Sequence, residues 1–181
     1  MKFVATIEAR MTSSRLPGKV LMKADGKPML SHLIKRLKKV KSIDEICIAT
    51  TINNTDDPLE ELAIKEGVSV YRGSETNVLS RVIDAAESAS ADVIVEITGD
   101  CPVLDPDISE QIIQIYKYND ADYVSNVINL SYPIGMDTQV FSLEVLKKSR
   151  SMTNNPIDLE HVASHIRRHP EIFKHINVIS P

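Results

Sequence analysis

The 181-residue sequence predicts an α/β fold, a three-layer sandwich around a mostly parallel sheet. Short aliphatic runs alternate with helix-period segments from residue 2 to residue 126, the order that builds parallel strands joined by crossover helices. Apolar residues make up 43% of the chain and aromatic residues only 4%, with no Trp, so the core is aliphatic. Segments rich in small and charged residues follow the first, second and fourth strands, where sheets of this kind hold their ligands.

The elements follow in order. Lys2–Ile7 reads as the first strand. Pro28–Val40 reads as a helix, with Leu30, Leu33, Ile34 and Leu37 on one face and Pro28 near its start. Glu45–Ala49 is the second strand. Asp57–Glu66 is a helix that Gly67 stops, and Val68–Tyr71 is the third strand. Glu75–Ala89 is a helix with Val78, Leu79, Val82, Ile83 and Ala86 turned inward. Asp92–Ile97 is the fourth strand, Pro106–Asn119 a helix and Asp122–Asn126 the fifth strand. The pattern is less regular beyond. Thr138–Phe141 reads as a strand, Leu143–Arg150 and Ile157–Arg168 as helices, and Ile176–Ile179 as a final strand. No repeat or linker interrupts the chain, and residues 1–181 read as one domain.

Cys47 and Cys101 lie in different elements and read as reduced thiols, in keeping with a cytoplasmic protein. No targeting segment and no membrane-length apolar run is visible. Charge is distributed unevenly. Residues 1–41 hold eleven Lys/Arg against two Asp/Glu, and residues 42–181 hold ten against twenty-three. Lys35, Arg36, Lys38, Lys39 and Lys41 read as a solvated helix face, and no aromatics are interleaved with them to suggest nucleic acid.

Arg10, Arg15 and Lys19 differ, because they cluster among small residues directly after the first strand. The segment is not a Walker A loop or a G-x-G-x-x-G turn. It shares their physical logic, since small side chains let backbone N–H groups approach phosphate while Arg and Lys neutralise it. A nucleoside triphosphate is the expected ligand. A surface loop with incidental charges is the plainer alternative. Asp100, in Thr98-Gly99-Asp100-Cys101-Pro102, would project a carboxylate into the same crevice. Mg²⁺ held between it and substrate phosphates is one reading, and a turn cap is the other. Asp137 fits a substrate or metal contact and a turn cap equally. The spacing of His161, His165 and His169 is a weak metal signal, because Pro170 ends the helix. No base stands ready for a nucleophilic Ser or Cys, so covalent catalysis has no support.

Taken together, Ala9-Arg10-Met11-x-Ser13-Ser14-Arg15-Leu16-Pro17-Gly18-Lys19, Ala49-Thr50-Thr51, Arg72-Gly73-Ser74-Glu75-x-x-Val78-Leu79-x-Arg81, Thr98-Gly99-Asp100-Cys101-Pro102, Asp122-Tyr123-Val124-Ser125-Asn126 and His161-Val162-x-x-x-Ile166-Arg167-Arg168-His169-Pro170 form a series. It resembles the SpsF-type cytidylyltransferase family of spore-coat polysaccharide biosynthesis, related to acylneuraminate and Kdo cytidylyltransferases. The resemblance covers almost the whole chain in the right order. It implies a nucleotide-diphospho-sugar transferase type of fold. It also implies a Mg²⁺-dependent reaction in which the hydroxyl of an acidic sugar attacks the α-phosphate of CTP and pyrophosphate leaves.

By that resemblance Arg10, Arg15, Lys19 and Asp100 are catalytic, with Asp100 on the metal. Ala9, Ser13, Ser14, Ala49, Thr50, Thr51, Arg72, Gly73, Ser74, Arg81, Thr98 and Gly99 line the nucleotide pocket, and Asp137, His161 and Arg167 lie toward the sugar. The sequence departs from the pattern at position 8, where Glu replaces Gln or Pro, and at position 80, where Ser replaces Asp. Members of the family also continue past the segment matching His175–Pro181 into an Asp-x-x-x-Asp region that supplies a second metal carboxylate. A chain ending at Pro181 is expected to lack that segment, and an exposed edge there would favour a homodimer. A shortened nucleotide-binding relative without catalysis, or a glycosyltransferase-like protein, are the alternative readings.

Overall fold

The aliphatic runs become strands of one seven-stranded sheet in the computed structural model, which describes residues 1–13 and 15–180. In chain order the elements are β1 (Phe3–Glu8), β2 (Lys23–Ala24), β3 (Lys27–Pro28), α1 (Met29–Leu37), β4 (Glu45–Thr51), α2 (Asp57–Glu66), β5 (Ser69–Gly73), α3 (Val78–Ser88), β6 (Val93–Thr98), α4 (Pro106–Tyr118), β7 (Tyr123–Ser125), β8 (Gln139–Ser142), α5 (Leu143–Ser151), α6 (Pro156–Glu160), α7 (Ser164–Arg168) and β9 (His175–Asn177). The sheet order is β5-β4-β1-β6-β8-β7-β9, and among the described strands only β8 runs antiparallel to its neighbours in it. The mostly parallel sandwich read from the sequence is the fold observed.

Two aliphatic clusters flank the sheet and make it three layers. On one face Ala5 and Ile7 of β1 and Val95 and Ile97 of β6 pack with Leu30, Leu33, Leu59 and Ile112 from α1, α2 and α4. On the other, Val4 and Ile94 pack with Leu79, Val82, Leu146 and Ile166 from α3, α5 and α7. Because side chains alternate along a strand, this second face continues upward through Thr6 and Glu8 on β1 and through Glu96 and Thr98 on β6. Thr6 stands opposite Glu96, and Glu8 opposite Thr98. The face is therefore apolar at its base and polar toward the carboxyl ends of the strands.

Local differences from the sequence expectation have physical causes. A short hairpin, β2–β3, precedes α1. It turns on Asp25 and Gly26, both left-handed at φ 50° and 73°, the Asp-Gly signature of a tight hairpin. Helix α3 begins at Val78, where Asn77 accepts the Ser80 N–H at 3.0 Å, which frees Glu75 from the helix. The segment expected as one helix over 157–168 is two. The carboxylate of Asp158 in α6 receives the Arg168 guanidinium of α7. In one continuous helix residues ten apart would be separated by about 15 Å, so this contact requires the break. It leaves His161 between the two helices with extended backbone, φ −113° and ψ 93°.

Candidate active site

The turn that leaves β1 is held from several sides. The Gly18 N–H donates to the Met11 carbonyl at 2.8 Å and closes it, with Gly18 left-handed at φ 71°. The Met11 N–H donates to the carboxylate of Asp56 at 2.8 Å. Asp56 is fully buried and also accepts the Thr50 hydroxyl at 3.0 Å and the Thr51 N–H and hydroxyl at 3.1 and 2.5 Å. Burial alone would push its pKa up. The hydrogen bonds from Thr51, Met11 and Thr50 outweigh that and hold it below the usual aspartate value. Asp56 thus pins the turn to the end of β4.

Gly99 places the opposing loop. Its N–H donates to the Glu8 carbonyl at 2.9 Å, and a Cβ there would stand 2.7 Å from that oxygen. Only glycine permits so close an approach. The next residue, Asp100, consequently meets the turn, with its carboxylate 2.7 Å from the Lys19 ammonium. Burial raises the Asp100 pKa, but hydrogen bonds from Lys19 and Thr98 carry it below its usual value.

Between turn and loop lies a cleft of about 290 Å³ lined by Glu8, Ala9, Arg10, Ser13, Arg15, Lys19, Arg81, Thr98, Gly99, Asp100, Glu160 and His161, among others. Arg81 is only 2% exposed, its Nε has no partner, and its Nη1 donates to the Ser74 carbonyl. Arg10 is oriented by Glu75 at 3.6 Å, and Glu75 accepts from Thr12 Oγ1 at 2.7 Å and Asn53 Nδ2 at 2.8 Å. Those two hydrogen bonds hold Glu75 ionised, below the usual glutamate value. Four cationic side chains therefore line a cleft into which Asp100, beside Lys19, presents a half-exposed carboxylate, which suits a polyphosphate accompanied by a divalent cation. A single carboxylate plus phosphate oxygens is an adequate hard-oxygen set for Mg²⁺, so the residues present fit that ion.

A second lobe of about 300 Å³ adjoins the first, and Glu8, Thr98 and His161 line both. Asp137 and Arg167 lie here, with Glu96 and Gln139. The Asp137 carboxyl is raised by burial and by the charge of Asp100, with Arg167 opposing. Glu8 is pushed well above the usual glutamate value, first by burial and then by the charge of Glu96. Burial raises Glu96 to about 7. The two carboxyls stand on the same face of adjoining strands, and Glu8 Oε1 and Glu96 Oε2 are buried without a hydrogen-bond partner among the described residues.

This pair makes stability depend on pH. The folded chain binds more protons than the unfolded one from the ordinary carboxylate range up to about 7, so stability falls as pH rises through that window. Urea unfolding at pH 5.5 and pH 8 should show a smaller decline in Glu96→Gln than in the parent. Equal declines would refute a Glu96 carboxyl raised by burial.

The structure thus brings Ala9, Arg10, Ser13, Arg15, Lys19, Arg81, Thr98, Gly99, Asp100 and His161 to one cleft, with Asp137 and Arg167 next door. Ser14 lies outside the described residues. Ala49, Thr50, Thr51, Arg72, Gly73 and Ser74 do not line either lobe. The hydroxyls of Thr50 and Thr51 face Asp56. Arg72 gives its donors to the Thr51 and Asn53 carbonyls at 3.0 and 2.8 Å and to Asp57 and Glu60 at 2.7 and 2.9 Å. Cys101 is buried and its thiol is raised by that burial, while burial takes Cys47 to about 12, so neither is a ready nucleophile. His165 is buried against Ser149, 3.2 Å away, with its ring 4.4 Å from that of His169.

Sequence reasoning missed Asp56, Glu75 and Glu96. Two carry a signal in hindsight. Glu96 is an acid inside an otherwise aliphatic strand, and Asp56 is a second acid ahead of a helix that Asp57 and Pro58 already open.

The chain was compared with known proteins. The family model described as Cytidylyltransferase matches residues 4–180. The chain belongs to the cytidylyltransferase family. It is 36% identical over 173 residues to the spore coat polysaccharide biosynthesis protein SpsF of Bacillus subtilis, covering 93% of this chain and 71% of that protein. It is 32% identical over 152 residues to 3-deoxy-manno-octulosonate cytidylyltransferase 2 of Hydrogenovibrio crunogenus, covering 81% of this chain and 60% of that protein. Among solved structures, a cytidylyltransferase from Leptospira borgpetersenii superposes with a TM-score of 0.96 at 35% identity, over 99% of this chain and 76% of that one. A cytidylyltransferase is a nucleotidyltransferase enzyme, and the cationic cleft is where this one presents its charge. Among the described residues no helix is long and apolar enough to cross a membrane.

Proposed function

We propose that the protein transfers the cytidylyl group of CTP to the hydroxyl of an acidic sugar of the ulosonic or nonulosonic type, for surface polysaccharide synthesis. In that reaction the sugar oxygen forms a bond to the α-phosphorus as the bond to the bridging oxygen breaks. The electron pair leaves with pyrophosphate, and the hydroxyl proton passes to solvent or a neighbouring base. Such a transfer needs alignment and neutralised oxygens more than covalent help. Arg10, Arg15 and Lys19 would hold the triphosphate, with Arg81 and the N–H groups of the turn around it. Mg²⁺ bound by Asp100 would neutralise phosphate charge. Arg167, free of ion pairs among the described residues, would take the sugar carboxylate from the adjoining lobe.

The observation that carries this reading is the 2.7 Å contact of Lys19 with Asp100 inside a cleft lined by three arginines. A cation and a metal-type carboxylate poised together answer the two needs of a metal triphosphate. The sugar class rests on the names of relatives, one of which acts on 3-deoxy-manno-octulosonate. The test is pyrophosphate release from CTP and Mg²⁺ with 3-deoxy-manno-octulosonate and N-acetylneuraminate as acceptors. Release that requires CTP, the acceptor and Mg²⁺ together is expected. CTP binding without release from any sugar acid would leave a nucleotide-binding protein and sink the synthetase reading.

A further inference from the structure

Helix α1 carries no acid on its solvent side. The stretch from Lys23 to Lys41 holds seven Lys/Arg against one acid, Asp25, and all eight of these residues are exposed. Leu30, Leu33, Ile34 and Leu37 turn into the core, which leaves Lys35, Arg36, Lys38 and Lys39 together on the outer half of the helix. The β2–β3 hairpin extends this face. His32, one turn before Lys35 and Arg36, donates from Nε2 to the Ala24 carbonyl at 2.7 Å, which lays the hairpin with Lys23 and Lys27 beside the helix.

Charged faces elsewhere on the molecule are mixed and paired. On α5, Lys147 meets Glu87 at 2.7 Å, and on α2, Asp57 and Glu60 meet Arg72. Among the described residues none of the seven cations of this face has an acidic partner. Arg36 and Lys38 donate to the Leu104 and Glu66 carbonyls, contacts that leave their charge uncompensated. Lys35 and Lys39 stand four apart and Lys35 and Lys38 three apart, spacings at which like charges destabilise a helix. Interspersed charges of both signs would keep the helix solvated without that repulsion. The arrangement suits a surface that itself supplies the negative charge.

We propose that this face docks on an anionic phospholipid surface. Four to eight Lys/Arg on an amphipathic helix is the pattern that such a surface attracts. A protein partner fits less well, because interfaces between proteins are depleted in Lys and anchored by aromatic and large apolar side chains. Here six of the seven cations are Lys, and between Lys23 and Lys41 no large hydrophobic residue is exposed. Single-stranded nucleic acid binds through stacking aromatics, and the stretch has none. Docking would leave the site open. Helix α1 covers the sheet face opposite the one on which Glu8, Glu96 and Thr98 border the adjoining lobe, so that lobe faces away from the lipid. The proposal does not depend on which sugar the lobe takes.

Cosedimentation with vesicles tests this, one set of phosphatidylcholine alone and one with a third of the lipid as phosphatidylglycerol. At low salt the protein should bind the anionic vesicles at least tenfold more tightly than the neutral ones, and molar salt should abolish the difference. Lys35→Glu/Lys39→Glu should weaken that binding tenfold or more. Lys147→Glu/Lys148→Glu, which changes net charge equally on α5, should retain it. CTP binding should be unchanged in the α1 variant, because neither lysine lines the cleft. Thermal melting establishes that the variants are folded, and Lys35→Gln/Lys39→Gln replaces the reversal if it is not. Equal sedimentation with both vesicle types, or with neither, overturns the proposal. So does anionic binding that survives the α1 change or falls equally with the α5 change. A labelled oligouridylate bound tenfold more tightly than the anionic vesicles, and lost with the same two lysines, would overturn the lipid and assign the face to nucleic acid.

Discussion

Lys19→Ala and Arg15→Ala are each expected to lower CMP-sugar formation by about 10²–10³-fold, the usual loss when one charge-stabilising donor leaves a transferring site. Folding should hardly change. Among the described residues the Lys19 ammonium pairs with the half-exposed Asp100, and a pair of that kind contributes about 0–1 kcal/mol. Arg15 is exposed and, among the described residues, has no ion-pair partner. The two side chains therefore contribute little to the fold and much to the charge in the cleft. The loss should appear mainly in kcat when the lost contact strengthens in the transition state, and in KM when it serves only to bind CTP. Steady-state rates with thermal melting of the same samples separate these outcomes. Variants that melt normally and retain the full rate would remove both residues from the site.

Asp56→Ala carries the largest expected effect on stability. It leaves the buried N–H groups of Met11 and Thr51 without an acceptor and strands two threonine hydroxyls. Each buried donor left unsatisfied costs about 1–3 kcal/mol, so a loss of about 3–5 kcal/mol is expected from urea unfolding. CTP should bind more weakly as well, because Met11 belongs to the turn proposed to hold the triphosphate and Asp56 fixes it to β4. The pH dependence has a definite sign. The Asp56 pKa is depressed in the folded protein, so its stabilisation is present above the unfolded aspartate range and is lost as pH falls through the folded value. Asp56→Ala should accordingly be less sensitive to acid than the parent. A loss below about 1 kcal/mol would contradict the pinning role.

Much of the scaffold was legible because burial imposes periodicity. β1, β4 and β6 are aliphatic where the sheet is covered on both faces, and α1 and α3 show their inward stripes. The convergence of the Arg10–Lys19 turn with Asp100 followed from one rule about where parallel sheets bind ligands. What stayed hidden depends on which partner a side chain chooses. Arg72 has the composition of a phosphate ligand, yet its guanidinium is engaged by Asp57, Glu60 and two carbonyls, a tertiary outcome with no local signature. Glu75 sat inside a helical pattern until the Asn77 cap moved the helix start past it. The break between α6 and α7 depends on a buried acid reaching an arginine ten residues on. The hairpin at Asp25 and Gly26 is the one omission that local chemistry announces.

The central claim is that the turn after β1 and the carboxylate of Asp100 together hold a metal triphosphate. A crystal structure with CTP and Mn²⁺, read by anomalous scattering, tests it most directly. The account predicts manganese on the Asp100 carboxylate and the triphosphate along Arg10, Arg15 and Lys19, with the Lys19 ammonium moved from Asp100 to a phosphate oxygen. A triphosphate bound away from that turn, or manganese coordinated without Asp100, would contradict it.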